Sequence, residues 1–223
     1  MQSDGVKSPS IPFLVAVLRL SIRWLLSVGH DFAFETLPGH TDFTPFLQLQ
    51  LAHEFRIREW VEPAFRSLVK QPLEIISASQ ATQMGDIPYY VLSQTKCLID
   101  NHLRCISFTA PPVQSAFPCD SPEMCEDAWN RAWWTGFAKH VLHPDCPLSG
   151  SEAMRVLDNV QIPGMCDDCL RSTVDSVWEA GPFEEIELII RDGIGQVVEW
   201  ATGEDVKNAY LEAQEMQMQM YMI

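Results

Sequence analysis

The sequence predicts a mostly α-helical protein, an irregular bundle of short helices in two adjoining units. Apolar residues recur at intervals of three and four along most of the chain, the spacing that lines one helical face. Strand signals are scarce: residues 186–190 have a β-like composition but keep the four-residue interval. No period of about 20–50 residues repeats, so nothing supports a solenoid.

Residues 1–10 are polar and read as a disordered leader, and 11–106 as an N-terminal helical unit. Leu14, Val17 with Leu18, Ile22, and Leu25 with Leu26 trace a first stripe, with Trp24 alongside. A second helix is expected through residues 31–37, ended by Pro38-Gly39. The strongest pattern lies in residues 49–70, read as two helices meeting at a tight corner. Leu47, Leu51 and Phe55 line the first; Trp60, Ala64 and Leu68, with Val61 and Phe65, line the second. Ile57 sits in the corner as a plug, and Pro63 falls in a first helical turn, where amides lack intrahelical partners.

After Pro72, Ser77 or Ser79 can cap a brief helix ending at Gly85, and Asp86-Ile87-Pro88 has the form of a new start. That helix is expected to face the interior with Tyr90, Val91, Gln94, Cys97 and Leu98 and to run to about Cys105. Residues 107–120 contain three prolines without helical period and read as a linker or packed loop. The C-terminal unit, 121–202, opens with Ser121-Pro122-Glu123 and an interior face of Cys125, Trp129, Trp133 and Phe137. Helices are expected at 151–160, at 169–178 (stopped by Gly181-Pro182) and at 183–200, where Ile186, Ile190, Ile194 and Val197 form a stripe. Gly193 and Gly195 weaken or break this last one, and 203–223 is a Met-rich tail.

With 47% hydrophobic and 20% charged residues, the composition is that of a globular chain. The net charge is −15, and nearly all of it falls in residues 107–223, with six Lys/Arg against twenty Asp/Glu. Such a surface repels nucleic-acid phosphates and anionic lipids, so neither is an expected partner. Arg19 and Arg23 interrupt the only apolar run near the start, which argues against a membrane span and a cleaved leader. With seven cysteines, this suggests a reducing intracellular setting, cytoplasmic or nuclear.

The chemical candidates are Cys119, Cys125, Cys166 and Cys169. Zinc takes four soft ligands in a tetrahedron, and Cys166-x2-Cys169 offers two from one turn. Cys125 and Cys169 fall near expected helix starts, where backbone dipoles favour the thiolate a metal needs. The five-residue spacing of Cys119 and Cys125 is looser than usual. Ordinary buried thiols explain the same set, and His140 or His143 is placed to replace one ligand. A thiol oxidoreductase is disfavoured because Asp167 and Asp168 lie between the two sulfurs and raise thiol pKa. Glu184, Glu185 and Glu187 read as a solvated face and the Trp129/Trp133/Trp134 stripe as core. No catalytic residue and no cofactor apart from a structural zinc is expected.

VLRLSIRWLL (17–26) and LAHEFRIREWVEPAFRSLVKQPL (51–73) resemble the region after the BTB domain in fungal BTB-domain proteins. Leu18, Leu20, Ser21 and Trp24 fit the first block; Ala52, Glu54, Phe55, Trp60, Pro63, Ala64 and Phe65 fit the second. The cysteine and tryptophan stretches resemble the C-terminal part of such proteins, and the likeness covers about residues 14–202. The BTB fold that should precede Val17 is missing, which suggests a truncated member or a fragment. The resemblance implies a helical, non-enzymatic, adaptor-like protein–protein interaction module, its partner unidentified. A missing neighbour domain would leave one apolar stripe exposed, which predicts self-association or poor solubility. The alternative is a zinc-stabilised or thiol-dependent hydrolase using the Cys/His set.

Overall fold

Every regular element among the described residues is helical, in a computed structural model that describes residues 9–143, 148 and 150–203. The bundle of short helices expected from the apolar periodicity is therefore observed. Two compact units divide it. The first comprises the chain up to Leu92 and from Ile194 onward; the second is Ser93–Gly193. Both divisions fall inside helices, whereas the proline-rich stretch 107–120 suggested a boundary there. That stretch instead packs Ala110, Val113, Ala116 and Cys119 against the core of the second unit. The leader up to residue 8 and the tail from residue 204 lie outside the described residues.

In the first unit, α1 (Ile11–Trp24) and α2 (Ser27–Thr36) pack against each other, with Gly29 close to Ser21 and Val17, and α1 buries Leu14, Leu18 and Ser21. The helix α1 stops because Leu25 adopts φ 55°, ψ 40°, and the Leu26 N–H then donates to Ser21 O at 2.8 Å. This closing turn satisfies carbonyls left open at a helix C-terminus. The end of the expected stripe is exposed: Ile22 and Trp24 within α1, and Leu25 and Leu26 at the turn. Apolar residues occupy more than one face of α1, and of the expected stripe only Leu14 and Leu18 are buried.

The corner in residues 49–70 forms, but its first stripe is shifted: α3 (Pro45–Phe55) buries Phe46, Leu49, Leu51 and Ala52, whereas the expected Leu47 and Phe55 are half-buried. Thr44 caps α3 through the Leu47 N–H, and Arg56 ends it at φ 55°. A short 3-10 turn, Arg58–Trp60, leads into α4 (Val61–Val69). Ile57, Trp60, Val61, Ala64, Phe65 and Leu68 are all buried, so the plug and the second stripe are as read. Trp60 is stacked on Phe34 (centroids 5.5 Å apart) and meets Phe43 edge-on. Ser77 and Gln80 form a reciprocal capping box at α5 (Ala78–Met84).

The turn between α5 and the next helix, α6 (Asp86–Phe108), needs glycine: Gly85 has φ 96°, and a Cβ there would lie 3.1 Å from the Trp200 ring. The same Trp200, on the part of the last helix, α11 (Glu184–Thr202), that belongs to this unit, stacks on His53 at 4.1 Å. The long α6 (Asp86–Phe108) buries Pro88, Val91, Leu92 and Thr95 rather than the expected Tyr90, Gln94, Cys97 and Leu98, which are exposed. Two apolar stripes run along this helix, and periodicity alone does not choose between them.

The second unit holds the remainder of α6, α7 (Pro122–Ala132), α8 (Lys139–Val141), α9 (Gly150–Asp158), α10 (Asp167–Ala180) and the start of α11 (Glu184–Thr202). Between α7 and α8 the helix widens into a π-helical segment, Trp133–Ala138, that keeps Trp133 and Phe137 inward. Cys125, Trp129, Trp133 and Phe137 form the buried spine, as the spacing implied, while Trp134 is half exposed. Gly181 ends α10 at φ 56°. The α11 helix is continuous through Gly193 and Gly195, so of the two expected effects, a weakening or a break, the break is absent; the buried Ile194, Val197, Val198 and Ala201 offset a glycine cost of about 1 kcal/mol each.

Candidate metal centre

The four cysteines singled out in the sequence meet in the second unit. Cys119 lies in the irregular segment before α7, and Cys125 in the first turn of α7, its N–H bonded to Ser121 O. Cys166 is the N-cap of α10, and Cys169 sits in that helix's first turn. Gly164, at φ 91°, makes the turn that delivers Cys166, a conformation that favours glycine. The five residues between Cys119 and Cys125 hold the entry to α7, which is why the spacing exceeds that of a simple knuckle.

The sulfur of Cys125 lies 3.8 Å from that of Cys119 and 3.8 Å from that of Cys166, and Cys119 and Cys166 are 4.0 Å apart. All four sulfurs, Cys169 included, lie within 4.8 Å of one another. None of these three separations is near the 2.05 Å or so of a disulfide. Two backbone N–H groups donate into the cluster: Ala116 N to Cys169 Sγ at 3.2 Å and Cys166 N to Cys125 Sγ at 3.5 Å. Cys125 and Cys169 are buried, Cys119 half-buried, and Cys166 faces a small solvent-open recess with Asp120, Met124 and Asp168.

The thiols do not titrate alike. The Cys169 N–H lies near the Cys166 sulfur, short of a formal cap bond, and with its side-chain neighbours holds that thiol below its ordinary value. The Ala116 N–H pulls Cys169 down, but burial and the three adjacent thiols outweigh it and push it up to about 12. Cys125 is also raised: the Cys166 N–H lowers it, against burial and two neighbouring sulfurs. Crowded sulfurs of like charge cannot all ionise unless a cation joins them.

Around the cluster the irregular segment is held by side chains. Thr173, fully buried, accepts from Gln114 N at 3.0 Å and donates to Cys169 O at 2.7 Å. Trp129 Nε1 donates to Pro111 O at 2.9 Å, and Trp133 Nε1 to Ile106 O at 3.1 Å. His140 is not part of the cluster; it lines a separate apolar pocket of about 200 Å³ with Trp133, Phe137 and Leu157. His143 is not in the cluster either. The carboxylates Glu184, Glu185 and Glu187 occupy the first turn of α11, the end where negative charge is favoured.

A second feature is an exposed apolar row, whose residues the sequence did not single out as a group. Phe13, Leu20 and Trp24 are exposed along α1, followed by Leu25 and Leu26 at the corner and Val28 and Phe32 on α2. At 100° per residue, steps of seven and eleven place Phe13, Leu20 and Trp24 within about 40° of one face. Of these residues periodicity places Leu25 and Leu26 on the expected stripe, with Trp24 alongside; the burial of Leu14 and Leu18 shows which face is left over. No helix among the described residues is long and apolar enough to cross a membrane. Comparison with family models, with curated proteins and with solved structures finds no match to this chain.

Proposed function

We propose that the chain is a non-enzymatic, adaptor-like protein-interaction module of the kind that follows the BTB fold in the fungal proteins its sequence resembles. The observation that carries this reading is the exposed apolar row on α1 and α2. Trp24 is 69% exposed, Leu25 91% and Val28 82%, on consecutive segments of one corner. Single exposed apolar residues are ordinary on soluble proteins, but a grouped set containing Trp and Phe is the composition of a protein contact surface. The acidic charge of the second half suits a protein partner better than nucleic acid or anionic lipid.

The rival hydrolase reading has less support. A catalytic zinc keeps one position open for water beside a general base, whereas here four sulfurs already converge on one point. The test is the mass of the full chain in solution across a concentration series. Self-association that is lost in Trp24→Glu and Val28→Glu, with helical content unchanged, is the expected result. A monodisperse monomer at every concentration, with no binding of an apolar dye, overturns the reading.

A further inference from the structure

We infer that Cys119, Cys125, Cys166 and Cys169 bind one zinc ion as a closed tetrathiolate that staples residues 110–121 to the starts of α7 and α10. This goes beyond the interaction reading and stands without it.

The argument begins with geometry. Four sulfurs at about 2.3 Å from a central zinc lie about 3.8 Å from one another along the edges of a tetrahedron. The three measured edges are 3.8, 3.8 and 4.0 Å, and the fourth sulfur falls within 4.8 Å of each of the others. These sulfurs come from two stretches more than forty residues apart, Cys119/Cys125 and Cys166/Cys169. Chance burial of thiols brings pairs together; it does not bring four to mutual distances matching a coordination polyhedron.

The surroundings fit a metal thiolate. Ala116 N and Cys166 N each donate to a sulfur, the outer hydrogen bonds that orient ligating groups and spread their charge. The N-terminal turns of α7 and α10, which carry Cys125 and Cys169, add positive dipole ends. All four tetrahedral positions are taken by protein, so the site is structural rather than catalytic. Sulfur-only tetrahedral sets suit zinc or iron. Zinc is favoured because Cys166 is exposed, and a redox-inactive ion survives at an edge where oxygen reaches the metal.

The consequence for the fold is specific. Residues 110–121 form no helix, and their order depends on a few side-chain ties and on Cys119. Zinc adds a covalent-strength cross-link there, linking this segment to both helices.

The test uses the full chain, purified under reducing conditions without chelator. One zinc per chain by elemental analysis is expected, with the intense visible bands of tetrahedral thiolate cobalt after exchange. Ser at any one of the four cysteines should weaken zinc binding by about 100-fold or more, beyond the range typical of losing one supporting hydrogen bond. Cys97→Ser and Cys105→Ser, at exposed thiols outside the cluster, should leave it unchanged. If a ligand variant fails to fold, chelator-stripped wild type serves instead. Stripping should expose residues 110–121 to protease, and added zinc should restore protection at one equivalent. Metal-free protein that neither binds zinc nor changes its cleavage pattern overturns the inference, as does iron at the site or a disulfide among the four cysteines.

Discussion

The packing of α1 on α2 makes a sharp prediction at Gly29, because the exposed apolar corner depends on how closely these helices approach. A Cβ added at Gly29 would lie 2.3 Å from Ser21 Oγ, 3.5 Å from Ser21 Cβ and 3.6 Å from Val17 Cγ1. Contacts under 3.0 Å are essentially never seen, so the hydroxyl or the helix must move by at least 0.7 Å (3.0 minus 2.3). Ser21 is buried, 4% exposed, which leaves its hydroxyl little room. Overpacking of this kind costs about 1–3 kcal/mol, and the helical gain of Ala over Gly returns up to about 1 kcal/mol. Gly29→Ala is therefore expected to destabilise by up to about 3 kcal/mol, lowering Tm by up to about 12 °C at this chain length.

Ser21→Ala removes the offending oxygen and leaves only the ordinary 3.5 Å contact. In that background Gly29→Ala should be neutral or mildly stabilising. A thermal-melt double-mutant cycle followed by circular dichroism reads the coupling directly, expected to be about 1 kcal/mol or more. Equal destabilisation in both backgrounds, or none in either, would refute the close approach of α1 and α2.

Other consequences can be checked in the same assays. Trp60 and Trp129 are both almost fully buried, but Trp129 donates to Pro111 O while Trp60 Nε1 has no hydrogen-bond partner among the described residues. Trp129→Phe should therefore cost about 0.5–1.5 kcal/mol more than Trp60→Phe, since it alone removes a hydrogen bond, to the part-buried Pro111 carbonyl; equal losses would count against the assignment. Ser77→Ala dismantles the capping box at α5 and is expected to lower stability by about 0.5–2 kcal/mol, measured by urea titration. Gly195→Ala meets nothing within 4 Å on the continuous α11 and should raise stability by up to about 1 kcal/mol. A loss there would indicate that the helix is bent or broken at that glycine.

Local chemistry accounts for what was legible from residues alone. Ser77, Gly85, the Ser121-Pro122 start and Gly181 mark helix ends through backbone satisfaction within a few residues, and all appear where expected. The corner from α3 to α4 was readable because Trp60, Ala64, Phe65 and Leu68 repeat on a single face, with no competing stripe. Four candidate ligands were nameable because cysteine is scarce and its spacing is discrete.

What failed has an equally local cause. On α1 and α6 the apolar residues fill more than one face, so burial is decided by which neighbour arrives: Leu14 and Leu18 are buried, while Trp24 and Leu98 are exposed. The proline-rich stretch 107–120 looked like a linker because it lacks a period, yet its order comes from Thr173, Trp129 and Cys169, more than fifty or only about ten to twenty residues away. The sequence by itself determined that the chain is helical, where most helices start and stop, and which cysteines are chemically available. Only the tertiary structure decided which apolar face stays exposed and that four sulfurs from two distant stretches converge. Both depend on contacts between residues far apart in the chain, and a short window of sequence carries no information about them.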